Sequence, residues 1–137
     1  MRVAKPFLAI AAAAALLVPA AHAAPGKLIA KGSDSGLPVA TSTDGRALQP
    51  RALFLRIDAT PSERVQVRWD TNCALGGKGK VREGEYVSTG SDLVRVKQGF
   101  KRPDDCLINV IAAYENAALT GKIEIAVFAR GRFVRRG

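Results

Sequence analysis

Apolar and polar residues alternate along several separate stretches of the chain, with a period of two. In RVQVRWDTNC, Val65, Val67, Trp69, Thr71 and Cys73 alternate with Gln66, Arg68, Asp70 and Asn72, the pattern of a strand that buries one face. Cys106, Ile108, Val110, Ala112 and Tyr114 repeat it, and Leu107, Ile111 and Ala113 make the second face apolar too, which predicts a central strand. Two further alternations, Leu53-Leu55-Ile57 and Ile123-Ile125-Val127-Ala129, and the shorter run 93–96 bring the predicted strands to five.

Turn-forming residues separate these runs at Thr60-Pro61-Ser62-Glu63, Gly76-Gly77, Thr89-Gly90-Ser91-Asp92, Arg102-Pro103-Asp104-Asp105 and Thr120-Gly121, the punctuation of an all-β domain. Residues 112–119 come nearest to a helical pattern, and Gly121 cuts them short. The expected fold is all-β: a small antiparallel β-sandwich of about seven short strands with one disulfide, in which two sheets each bury one face. Residues 51–130 form its expected core. Residues 24–50, rich in Gly, Pro, Ser and Thr, are expected to be a lead-in with edge strands, and 131–137 a basic tail. The arrangement is immunoglobulin-like in general architecture only, because Trp69 precedes both cysteines where that family places its Trp between them.

The N-terminus changes the inventory. Arg2 and Lys5 precede the apolar run 7–18, and Ala21-His22-Ala23 follows, which is the form of a secretory signal peptide over residues 1–23. That run is too short for a crossing of ~20 residues. The expected product is exported, without a transmembrane span. Its charge stays strongly positive after Arg2 and Lys5 leave a chain of formal net charge +9. The single histidine, His22, leaves as well, and with it every Ser-His-Asp or Cys-His mechanism and imidazole ligation of zinc. Cys73 and Cys106 remain. An exported chain of this size with two cysteines and no C-x-x-C spacing points to a structural disulfide.

Candidate chemistry is sparse. GGKGK at 76–80 resembles a phosphate cradle only until the P-loop pattern is laid on it: the first glycine position falls on Ala74 and the hydroxyl position on Val81. The stretch is therefore expected to be a turn carrying Lys78 and Lys80. Carboxylates alone would support a glycosidase, but no spacing among the acids selects a pair, and no calcium-loop or nucleophile-elbow pattern occurs. No cofactor is expected. The ending AVFARGRFVRRG gathers Arg130, Arg132, Arg135 and Arg136 around Phe133, and arginines so clustered pair with phosphate or carboxylate and attract polyanions. A second basic group, Lys97, Lys101 and Arg102 with Lys78, Lys80 and Arg82, is diluted in sequence by Glu83, Glu85, Asp104 and Asp105. The expected function is a monomeric, non-catalytic binding or envelope-associated module that docks to an anionic polymer or an acidic protein surface. The alternatives are a carboxylate-dependent extracellular hydrolase and an inhibitor or toxin-like protein. Nucleic acid is not an expected partner, since few aromatic side chains are present for stacking.

Overall fold

The computed structural model describes residues 25–36 and 39–132. These form eight antiparallel strands: β1 (Lys27–Gly36), β2 (Ala40–Leu48), β3 (Pro50–Thr60), β4 (Val65–Leu75), β5 (Lys78–Ser88), β6 (Ser91–Val96), β7 (Asp105–Tyr114) and β8 (Gly121–Gly131). They pack as two four-stranded sheets, ordered β1-β8-β3-β6 and β2-β7-β4-β5. The β-sandwich with one disulfide is present, with eight strands in place of about seven. Residues 24–50 hold β1 and β2, and Ile29 of β1, Ala47 of β2 and Val39 just before β2 reach the core. The signal-peptide segment 1–23 and the end of the tail, 133–137, lie outside the described residues.

Period-two patterning becomes burial directly. Leu53, Leu55 and Ile57 of β3 and Ile123, Ile125 and Val127 of β8 face Val65 and Val67 of β4 and Ile108, Val110 and Ala112 of β7, all of them buried. Full burial of one such Leu, Ile or Val contributes about 1.5–3 kcal/mol. β7 lies between β2 and β4, as a central strand should, yet Leu107 and Ile111 on its second face are exposed.

Cys73 and Cys106 occupy paired positions of the β4–β7 ladder, fully buried, with sulfurs bonded at 2.04 Å. Their loop closure removes about 3–4 kcal/mol of unfolded-chain entropy. The alternation that sets Trp69 on one face with Val67 and Cys73 predicts its burial against this disulfide; it is half-buried instead, because its strand partner on the outer side is Gly84 of the edge strand β5. Among the described residues, no further strand lies beyond β5 to cover the ring.

Candidate polyanion-binding site

Antiparallel register carries β2, β4, β6 and β8 to the end of the sandwich where β3, β5 and β7 begin. Gly76 and Gly77, at φ 58° and 81°, make the two-residue turn from β4 to β5 there, a geometry that needs positive φ at both positions. GGKGK is thus a turn followed by strand, with Lys78 and Lys80 already inside β5.

The loop from β6 to β7 closes over this end. Gln98, buried at 9% exposure, donates from Nε2 to the carbonyls of Pro50 (3.0 Å), Phe100 (3.1 Å) and Lys101 (3.3 Å). Thr71 Oγ1 donates to the Lys97 carbonyl at 2.7 Å, and the Lys80 ammonium sits 5.0 Å from the centre of the Phe100 ring. Between the loop and the starts of β3 and β5 is a cavity of ≈ 580 Å³, lined by Arg51, Arg82, Arg95, Lys97 and Lys101 together with Val96, Gln98, Gly99 and Phe100. Five cations and no carboxylate line it. A second hollow of ≈ 220 Å³ shares Arg51 and adds Arg102, Arg132 and Asp104.

Three of the four acids that dilute the basic group in sequence, Glu83, Glu85 and Asp105, do not line the larger cavity, and the fourth, Asp104, shares the smaller hollow with Arg51 and Arg102. Side chains alternate across a strand, so Lys80 and Arg82 face the cavity side of β5 while Glu83 and Glu85 line a groove on the opposite face. Asp105 is engaged by Arg46 through two nitrogens, Nε at 3.0 Å and Nη2 at 2.7 Å. Asp104 accepts the Gly76 backbone N–H at 2.9 Å.

Of the residues singled out in the sequence, Lys80 borders the cavity and Lys78 is exposed beside the turn. Arg132 lines the smaller hollow. Arg130 belongs to β8, not to a tail: its Nε donates to the Pro25 carbonyl at 2.7 Å and its guanidinium lies 5.2 Å from the Phe54 ring centre. Arg135 and Arg136 lie outside the described residues. Arg51 and Arg95 were missed, since each is one cation in a different strand and only the β3–β6 register unites them.

A groove of ≈ 510 Å³ opens on the outward face of β2-β7-β4-β5, lined by Arg68, Asp70, Glu83, Glu85, Asn109 and Ile111 among others. Asp70 and Glu83 are paired in register, and Asp70 accepts from Asn109 Nδ2 at 3.1 Å. Among the described residues, no group of three or more Cys, His, Asp or Glu is placed to hold a metal ion, and no helix is long and apolar enough to cross a membrane.

No protein-family description and no curated protein matches the chain. Solved structures that resemble it include TmCBM61 in complex with β-1,4-galactotriose (9% identity, TM-score 0.44, 73% of this chain and 69% of that one). Another is the acetyl xylan esterase Est2A from Butyrivibrio proteoclasticus (9% identity, TM-score 0.47, 82% of this chain and 31% of that one). A third is PirA (10% identity, TM-score 0.39, 73% of this chain and 93% of that one). At these scores the likeness carries nothing about what this chain binds or does.

Proposed function

We propose that the chain is an exported, non-catalytic binding module whose basic end takes up an anionic polysaccharide of the cell envelope. The observation that supports it is the ≈ 580 Å³ cavity with five cations and no carboxylate. Like charges held together repel, and a ligand that brings negative charge relieves that repulsion and is drawn in from a distance. The cavity is far larger than one phosphate group, and Val96 and Phe100 give it an apolar part. That favours an acid carried on a sugar ring over a bare inorganic chain.

Purified chain lacking residues 1–23 is titrated with a polyuronate, a neutral polysaccharide and polyphosphate. The polyuronate is expected to bind best, with affinity falling steeply as salt shortens the screening length to about 8 Å at physiological ionic strength. Replacing Arg51, Arg95 and Lys97 together by Gln is expected to weaken binding at least tenfold, or about 1.4 kcal/mol. Absence of polyuronate binding at low salt, or equal binding by the triple variant, removes the reading. Preference for polyphosphate reassigns the ligand.

A further inference from the structure

The outward face of β2-β7-β4-β5 is as organised as the basic end and opposite to it in character. Register sets three parallel rows across the four strands: Ser42-Ile111-Arg68-Glu85, Asp44-Asn109-Asp70-Glu83 and Arg46-Leu107-Asn72-Val81. Both arginines are spoken for, Arg68 by Glu85 at 3.1 Å and Arg46 by Asp105. Asp44, Asp70 and Glu83 have no ion-pair partner among the described residues. Four of the six large apolar residues exposed among the described residues also lie here: Val81 (58%), Ile111 (57%), Leu107 (47%) and Val87 (44%). Exposed apolar side chains concentrated on one surface mark an interaction site.

We propose that this face docks the basic end of a second copy of the chain, in a head-to-tail contact. Charge complementarity selects that occupant. Symmetric pairing of the face with itself would bring Asp44, Asp70 and Glu83 of two copies against one another, and like charges set opposite each other are destabilising. The basic end instead presents Arg95, Lys97 and Lys101 to those carboxylates, and Phe100 and the exposed Leu75 to the aliphatic side chains. Such a contact uses two different patches, so each copy keeps one free and association continues beyond the dimer unless a ring closes. It replaces the expected monomer, and it does not require that the basic end also binds polymer.

Sedimentation velocity tests this on the chain lacking residues 1–23, with two variants: Asp70→Asn/Glu83→Gln, which neutralises the face, and Arg95→Gln/Lys97→Gln, which neutralises the end. All four positions lie outside the buried core, and circular dichroism checks that both variants fold. At low salt the unmodified chain is expected to sediment faster as concentration rises, and to return to monomer in high salt. Each variant alone is expected to be monomeric. Mixed in equal amounts, they are expected to form a dimer and nothing larger, because the first retains its basic end and the second its acidic face. A monomeric unmodified chain at low salt, association that survives in both variants, or an inert mixture overturns the proposal. So does a monomeric chain whose face instead binds a neutral oligosaccharide or a basic peptide, which would then be its occupant.

Discussion

Gly84 stands directly across the β4–β5 ladder from Trp69, and a Cβ on it would fall 2.6 Å from Cζ2 of the indole. The missing side chain is the space in which the ring lies. Gly84 has no positive φ to maintain, so the requirement is steric rather than conformational.

Gly84→Ala is therefore expected to destabilise the fold by about 1–3 kcal/mol through overpacking, and to shift Trp69 fluorescence toward that of an exposed indole. Gly79→Ala on the same strand meets nothing closer than 3.9 Å and serves as the control. Equal denaturation midpoints for the two variants would show that the ring yields without strain.

The disulfide predicts a mass difference of about two hydrogens between oxidised and reduced protein, the release of one S–S bond. Replacing Cys73 and Cys106 together by Ala is expected to cost about 3–4 kcal/mol in chemical denaturation. A variant as stable as the parent would place the loss of entropy elsewhere.

Gln98 is the fastening of the basic end, since one amide serves three backbone carbonyls. Gln98→Leu keeps the apolar bulk and removes the donors. Leaving buried acceptors unmatched costs about 1–3 kcal/mol. Polymer binding is expected to weaken as well, although no charge has changed, because Phe100 and Lys101 lose their anchor. Unaltered stability and unaltered binding together would remove Gln98 from the account.

Burial first, and then the Asp92 carboxylate, push the Tyr86 hydroxyl above the ordinary tyrosine range. The native state thus holds the phenolic proton more tightly than the unfolded chain, whose tyrosines ionise near pH ~10. This contribution is complete below that pH and is lost as pH rises toward the native value. Tyr86→Phe cannot ionise, so it is expected to lose less stability than the parent between about pH 10 and 12. At neutral pH the change is expected to be small or stabilising by about 1 kcal/mol, since the Tyr86 hydroxyl and Asp92 Oδ1 have no hydrogen-bond partner among the described residues. Parallel alkaline curves for the two proteins would contradict it.

The strands that were legible are those whose alternation is enforced by burial, β3, β4, β7 and β8, which supply most of the core, together with β6, marked by the shorter run 93–96. β5 was not legible because it is an edge strand, exposed at eight of the eleven positions of KGKVREGEYVS. β1 and β2 are the edge strands expected within 24–50, but their bounds were not legible, and in β1 the irregular register between Leu28 and Ala30 interrupts the period of two. The basic end was half legible. Lys80, Arg82, Lys97 and Lys101 stood out by number, but Arg51 and Arg95 belong to the site only through β3–β6 pairing. The ending reads as a charged tail because sequence gives no sign that β8 runs on to Gly131 and ties Arg130 to Pro25.

Along β5, base and acid are written on alternate sides of a single exposed strand, Lys80 and Arg82 toward one surface and Glu83 and Glu85 toward the other. None of the four contributes to the buried core. Substitution of Lys80 or Arg82 therefore retunes the cationic cavity and leaves the acidic groove and the fold as they were, and substitution of Glu83 or Glu85 retunes the groove and leaves the cavity. Insertion of one residue between Arg82 and Glu83 has neither selectivity, because a shift of one register step turns every later side chain to the other side. The two surfaces are inherited as interleaved letters of one short text, editable singly by replacement and scrambled together by a slip in frame.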